Sequence, residues 1–466
     1  MPYVLDLVYV LLILAGLPWL VWQAVRKGKY RHGYAEKFLG RVPRRDSLDR
    51  RPCLWLHAVS VGEVNLLPTL IRHLGQRHPD WQCVISTTTM TGIELARKKY
   101  PNLPVFYCPL DFSWAVRAAM RRVRPDVLVL AELELWPNLV RAAREQGARV
   151  AVINGRLSEH SFRGYRRVRP LVKRLLARID LVAVQDETYA ARFRQLGARP
   201  ETVHVTGSLK YDGAETDRNN PATERLRQLA GFAPENVIFL AGSTQEPEEE
   251  LALATYQALC GRWPQLRLVL VPRHPDRFEA VARLLDRSGL PWQRRTALGA
   301  QGSGFGVQGS GFGVQGSVTS DSQLPARDSR HVTRVLLVDT VGELGAWWGT
   351  AQIAFVGGSL GNRGGQNMIE PAAYGAALSF GPNTWNFRDI VAALLARQAA
   401  VVVRNGDELT AFVRRSLEDP AWAAGLGRRA RALVAEQLGA TERSCRLLEP
   451  LVGRARDQGA RGRAAA

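Results

Sequence analysis

The chain has 466 residues, 46% of them hydrophobic, with 12 Trp and a net charge of +20. That length excludes one ordinary domain and fits two or three, each able to bury a sizeable core. The charge favours anionic partners such as nucleic acid, anionic lipid or phosphorylated substrates. The five cysteines are scattered without a C-x-x-C pair, which fits a reduced compartment and offers no metal site.

Tyr3 to Val25 is nearly all apolar, interrupted by Asp6, Gly16, Pro18 and Gln23. It is long enough to span a bilayer, which takes about 20 residues. Only Asp6 is charged ahead of the apolar centre, unlike a cleaved signal peptide. Arg26, Lys27, Lys29, Arg31, Arg41, Arg44 and Arg45 follow, so the positive-inside bias places the rest of the chain in the cytoplasm. We expect a membrane anchor helix over residues 1–25. A buried core helix is the alternative, and Pro18 leaves room for a tilted or interfacial anchor.

From Pro52 the pattern alternates. Apolar runs at Cys53–Ala58, Gln82–Ser86, Val105–Cys108, Val127–Ala131, Val150–Ile153, Leu181–Val184 and Val203–Thr206 read as strands separated by helices. Ala214–Thr223 is polar and reads as a linker, set at 214–225. A second series follows at Val237–Ala241, Leu266–Val271, Val335–Val338, Ile353–Val356, Leu378–Phe380 and Ala400–Val403. The expected class is therefore α/β, with two Rossmann-like, doubly wound domains of parallel strands at 26–213 and 226–452. Ligands of such sheets collect at the carboxyl ends of strands, so the site is expected in a cleft between the domains. Identical heptads at Gln301–Val307 and Gln308–Val314 mark a flexible insertion over 299–330, and 453–466 reads as a basic, disordered tail.

The unusual polar residues fall at strand ends. Glu63 follows a glycine at a helix start, where a carboxylate either favours the helix dipole or acts as a general base. Glu132 and Glu134 alternate past a strand, so only one of them should face a site. Lys210 is either a surface lysine or a charge that stabilises a leaving phosphate. Ser243 and Thr244 precede an acidic helix start as a cap and possible phosphate contact. Arg273 suits bidentate binding of phosphate or carboxylate, with His274 beside it as a structural hydrogen-bonder or ligand contact. Val341, Gly342 and Glu343 end another strand. The stretch Phe355–Pro382 reads as strand, glycine-rich loop, short helix and strand. Its glycines allow close backbone approach and its helix start directs N–H groups at an anion. Asn367 and Glu370 lie there, and Glu370 is placed to accept hydrogen bonds from two sugar hydroxyls.

Taken together, HAVSVGE, ELELWPN, NGRLSEHSFRGY, TGSLKYD, PRHPDRF and VGGSLGNRGGQNMIEPAA, in this order behind an apolar N-terminus, resemble the bacterial 3-deoxy-D-manno-octulosonic acid (Kdo) transferases of lipopolysaccharide synthesis. The resemblance runs to about residue 450, the heptads excluded. It implies a GT-B glycosyltransferase at the cytoplasmic face of the inner membrane, with CMP-Kdo as donor, a lipid A precursor (lipid IVA type) as acceptor, and no metal or other cofactor. It makes Glu63 the proton acceptor and Glu132 and Lys210 the transition-state stabilisers. It makes Arg273 and His274, Val341 to Glu343, and Asn367, Met368, Ile369 and Glu370 the CMP contacts. Two departures stand out: GGQN and STQEPEE put Gln366 and Gln245 where the family usually has histidine. Glutamine replaces neutral histidine as a hydrogen-bonder but holds no proton charge near pH 7.

A related membrane-associated GT-B enzyme with another nucleotide sugar is the alternative. The basic run Arg163–Arg178 suits anionic headgroups or lipid phosphates. A nucleic-acid binder would need aromatics interleaved with a basic stripe, whereas the basic residues here are spread along the chain, so no nucleic-acid partner is expected.

Overall fold

The computed structural model describes residues 2–27, 32–298 and 334–464. The expected insertion at 299–330 lies outside the described residues. The chain divides into two compact units, one of Met1–Gly213 with Gln437–Ala466, the other of Ala214–Glu436.

The first unit is built on strands β1 (Cys53–His57), β2 (Gln82–Thr87), β3 (Val105–Tyr107), β4 (Val127–Ala131), β5 (Arg149–Gly155), β6 (Leu181–Val184) and β7 (Val203–Val205). They pair in parallel in the order β3-β2-β1-β4-β5-β6-β7. Helices cover both faces, which is why the strands read as unbroken apolar runs. Leu54 and Leu56 of β1 enter one core with Val127, Val129, Ala151 and Ile153. Trp55, one residue out of phase, enters the other with Val84, Phe106, Leu128 and Val150. The winding reverses between β1 and β4, the place where an open sheet opens a crevice.

The C-terminus corrects the expected boundary at 452. Helix Ala440–Ala464 belongs to the first unit, where Ala440, Cys445, Leu448, Leu451 and Val452 enter the β1–β4 core. The anchoring bonds are polar: Asp212 accepts from Gly439 N at 2.7 Å, and Arg443 Nε donates to Thr206 O at 2.8 Å. Because the helix continues to Ala464, the stretch 453–464 is not the disordered tail that its composition suggested.

The N-terminal segment is indeed a helix, Pro2–Lys27, but among the described residues no helix is long and apolar enough to cross a membrane. Asp6 ties this helix to the first unit. It is buried against the first unit, where Asp6 Oδ1 accepts from Ser113 N at 2.8 Å and from Asn138 Nδ2 at 3.4 Å. Tyr9, one turn on, donates to Asp111 Oδ2 at 3.2 Å and meets Phe112 edge-on. Leu7, Leu11, Leu14 and Trp19 point outward, with half or more of their surface exposed.

The second unit holds β8 (Val237–Thr244), β9 (Leu266–Pro272), β10 (Trp292–Arg294), β11 (Val335–Leu337), β12 (Ile353–Val356), β13 (Ala377–Phe380) and β14 (Val401–Val402). Their parallel order is β10-β11-β9-β8-β12-β13-β14, with reversal between β8 and β12. β10 carries only half-buried side chains and shows no apolar signature in the sequence. The expected linker at 214–225 is ordered: helix Pro221–Leu229 starts inside it, capped by Asn220 Oδ1 on Thr223 N. Arg218, polar in sequence, is drawn inward to donate to Tyr374 O and Ala351 O, both at 2.7 Å.

Candidate active site

In the first unit, three sequence-predicted residues meet at the β1/β4 reversal. After β1 the chain turns at Val59, whose carbonyl accepts from the hydroxyls of Thr87, Thr88 and Thr89 at 2.9, 3.3 and 3.3 Å. Ser60 then caps helix Val61–Val64, its Oγ accepting from Glu63 N. The Glu63 carboxylate folds back to accept from Val59 N at 2.7 Å and from Ser60 Oγ at 2.9 Å. This is close to a capping box, with Val59 N in place of the cap residue's own N–H, so Glu63 does serve the helix start. The carboxylate is nevertheless buried, and desolvation, with Glu134 and Glu132 adding negative charge, pushes its pKa up to about 7 despite the two hydrogen bonds. A carboxylate half-ionised near neutral pH is fitted to taking a proton.

Glu132 breaks the alternation expected of it. It adopts a left-handed backbone with φ +57, immediately after β4 ends at Ala131. Strand periodicity therefore does not carry past Ala131, and both Glu132 and Glu134 act electrostatically on Glu63. Glu132 lies 3.9 Å from Lys210 Nζ and 3.8 Å from Arg156 Nε. Lys210 is placed by Asn154, a residue that sequence reasoning quoted inside a motif but gave no role. Asn154 is itself left-handed (φ 53) and its Oδ1 accepts from Ser208 Oγ at 3.3 Å and Leu209 N at 3.0 Å. Its N-x-R context after a strand carried no sign of this tie, which joins residues more than fifty positions apart.

In the second unit, the glycine loop after β12 meets the end of β8. A Cβ on Gly357 would sit 2.6 Å from Thr244 Cα and 2.7 Å from Ser243 O, so only glycine allows this approach. The N–H groups at the start of the loop are held internally. Glu248, itself buried, accepts from Gly358 N at 2.7 Å, from Ser359 N and Leu360 N at 2.9 Å, and from Gln245 N at 2.9 Å. An internal carboxylate thus occupies the anion nest that the glycines create. Ser243 and Thr244 are likewise buried in and beside β8 rather than capping a helix; helix Glu248–Cys260 begins after Pro247 without a side-chain cap.

The predicted nucleotide contacts sort into two kinds. Asn367 Nδ2 donates to Glu370 Oε1 at 3.0 Å, and Asn367 Oδ1 accepts from Ile369 N at 3.0 Å. Burial raises the Glu370 pKa, and Arg273, at the end of β9, partly opposes that rise. Glu370 Oε2 also lies 4.0 Å from where a Cβ on Gly345 would sit, so the segments after β11 and β12 converge. Val341 is 77% exposed and Gly342 is open to solvent at φ +97. Three residues are turned elsewhere. The side chains of Met368 and Ile369 are buried in the core, leaving only their backbone for a ligand. The Glu343 carboxylate is held by Arg295 at 2.8 and 3.0 Å and by Thr340 Oγ1 at 2.7 Å. His274 instead lines a cavity of about 320 Å³ with Gln245, Arg277, Gly358 and Arg363. The Gln245 and Gln366 amides, far apart in sequence, converge on Gly358: their Nε2 atoms lie 3.7 and 3.2 Å from its Cβ position.

The first unit thus carries a buried, near-neutral carboxylate and the second a glycine loop, and the relatives that follow make the chain an enzyme of the glycosyltransferase class. A family model described as 3-deoxy-D-manno-octulosonic-acid transferase (kdotransferase) matches residues 31–213. The 3-deoxy-D-manno-octulosonic acid transferase of Bordetella pertussis is 33% identical, over 95% of this chain and 98% of that protein. The transferase of that name from Haemophilus influenzae is 31% identical, over 92% of this chain and 94% of its own. Among solved structures, the C-terminal CMP-Kdo binding domain of WaaA from Acinetobacter baumannii matches at 24% identity and TM-score 0.37, covering 46% of this chain and 95% of that one. Anabaena Alr3699/HepE in complex with UDP matches at 14% identity and TM-score 0.46, covering 86% and 100%. The chain belongs to the Kdo transferase family of lipopolysaccharide synthesis.

Proposed function

We propose that this chain transfers Kdo from CMP-Kdo to a sugar hydroxyl of a lipid A precursor of the lipid IVA type, with Glu63 as general base. The observation that carries the catalytic part is the Glu63 carboxylate, buried yet held by Val59 N and Ser60 Oγ, with its pKa near 7. In the reaction the acceptor oxygen forms a bond to the anomeric carbon of Kdo. The bond from that carbon to the phosphate oxygen breaks, its electron pair leaving with CMP, and the acceptor proton passes to Glu63. Lys210, paired loosely with Glu132 at 3.9 Å, supplies positive charge against the charge that develops as CMP departs. Arg273, Asn367 and Glu370, with the backbone of Val341–Glu343 and Met368–Ile369, hold the nucleotide. Glu370 takes its ribose hydroxyls. We read the two units as a GT-B pair, the first serving the acceptor and the second the donor.

We further propose that the chain works at the cytoplasmic face of the inner membrane, held there by the apolar helix Pro2–Lys27. Its Asp6 and Tyr9 dock on the first unit, and its outward Leu7, Leu11, Leu14 and Trp19 offer apolar surface to lipid. The exposed arginines of helices Glu159–Arg167 and Arg169–Leu176 add attraction to anionic lipid, which salt screens.

The test is mass spectrometry of the product made from CMP-Kdo and a tetraacylated lipid A precursor. The wild-type chain is expected to add Kdo. Glu63→Gln is expected to lose roughly 100-fold or more in rate while still binding CMP. Unimpaired turnover by the variant would refute the general-base role; a product from a different nucleotide sugar alone would refute the donor.

A further inference from the structure

The cavity beside His274 is not accounted for by any of the nucleotide contacts except His274 itself. At about 320 Å³ it is of the size that takes a small molecule. Most of its charges are already satisfied. Glu248 is saturated by four backbone N–H groups. Arg277 is locked between Glu246 at 2.8 Å and Glu249 at 3.2 Å. Two charges in the lining are not: among the described residues, neither Arg363 nor Asp276 has a side-chain hydrogen bond or an ion-pair partner.

The contrast with the backbone around Arg363 is informative. Its own carbonyl accepts from Asn386 Nδ2 at 2.9 Å, and the next, Gly364 O, accepts from Asn386 N at 3.0 Å. Gly365 N donates to Gly358 O at 2.7 Å, and Asn383 holds Ser359 O and Leu360 O at 3.0 and 3.2 Å. The loop is pinned at five points, while its single guanidinium is presented free. A cation on a fixed backbone loses little freedom when it engages an anion.

We infer that this cavity receives the sugar of the donor, with Arg363 binding the carboxylate of the ulosonic acid and Asp276 accepting hydrogen bonds from its hydroxyls. The inference rests on the proposed CMP-Kdo reading. An octulosonic acid carries its carboxylate directly on the anomeric carbon, so an anion other than phosphate must be accommodated close to the nucleotide. A planar, unpaired guanidinium meets a carboxylate through two parallel hydrogen bonds. The neutral amides of Gln245 and Gln366, both over Gly358, add hydrogen-bond capacity without fixing the charge. Arg363 is thus a determinant of acid-sugar specificity, separate from the grip on CMP.

The donor phosphate is the other anion that Arg363 could meet, and two ligands distinguish the cases. CMP alone carries the phosphate without the carboxylate, and CMP-Kdo carries both. For Arg363→Ala we expect KM for CMP-Kdo to rise roughly 10- to 100-fold, with the inhibition constant of CMP unchanged. Arg363→Lys should recover only part of the loss, since an ammonium cannot make the bidentate contact. Asp276→Asn should raise KM for CMP-Kdo by a smaller factor and leave CMP inhibition alone. Equal weakening of CMP and CMP-Kdo by Arg363→Ala would make Arg363 a phosphate ligand and overturn the inference. Unchanged KM in Arg363→Ala would overturn it as well. If the wild-type chain bound CMP yet did not use CMP-Kdo, the donor reading itself would fall instead.

Discussion

Glu63 shows how one residue serves structure and chemistry together. Its two hydrogen bonds cap a short helix and aim the carboxylate, but they do not offset the desolvation that lifts its pKa from 4.5 to about 7. The sign of the pH dependence follows. The folded state binds the Glu63 proton more tightly than the unfolded state, so this group's contribution to stability is present below about pH 4.5 and is lost as pH rises through about 7. On the proposed general-base role activity runs the other way, since only the ionised form accepts a proton. We therefore expect kcat/KM for the acceptor to climb through an apparent pKa near 7 and then level off. In Glu63→Gln, thermal melts between pH 5 and pH 8 should lose part of the wild-type downward slope. A rate profile flat from pH 5.5 to 8 in the wild-type chain would contradict this.

Among the elements, the loop after β12 depends on a residue outside it. Glu248 sits at the start of the helix after β8, more than a hundred positions before the loop it holds. Replacing it by alanine leaves the buried N–H groups of Gly358, Ser359 and Leu360 without an acceptor. The cost is about 3 kcal/mol. Hydrogen exchange of Glu248→Ala should accelerate at residues 357–365, with strands of the first unit unaffected, and CMP affinity should fall with it. Preserved protection of that loop would show that Gly357's close packing on Thr244 holds it without the carboxylate. In the sequence these glycines read as allowing the backbone to approach a ligand closely. The fold satisfies the N–H groups at the start of that loop from within, through Glu248.

For the whole molecule, the C-terminal helix matters more than its position suggests. The chain builds the first unit, then the second, and returns to complete the first with Ala440, Cys445, Leu448, Leu451 and Val452. Ending the chain at Gln437 would expose that part of the β1–β4 core, each large side chain removed costing about 2–5 kcal/mol. The truncated protein is expected to lose the cooperative unfolding of its first unit and to be cut by protease within residues 53–205. A truncated chain that melts like the full one would show the helix to be dispensable.

Residue patterns by themselves determined the alternation of strands and helices, because a strand covered on both faces must be apolar along its length, as Val127–Ala131 and Ile353–Val356 are. They also placed Glu63, Glu132, Lys210, Arg273 and Glu370 at strand ends, since polar residues collect where such runs stop. Short, half-exposed β10 escaped notice for the same reason: it has no apolar run to read. What only the tertiary structure decided depends on contacts between distant segments. Asp6 turns an apolar helix into a docked one by bonding to Ser113, Asn154 sets Lys210 through Leu209, and Glu248 closes the glycine loop. Hydrogen bonds of this kind have no periodicity along the chain. They arise because a buried polar group must find a partner, and the fold determines which partner is within reach.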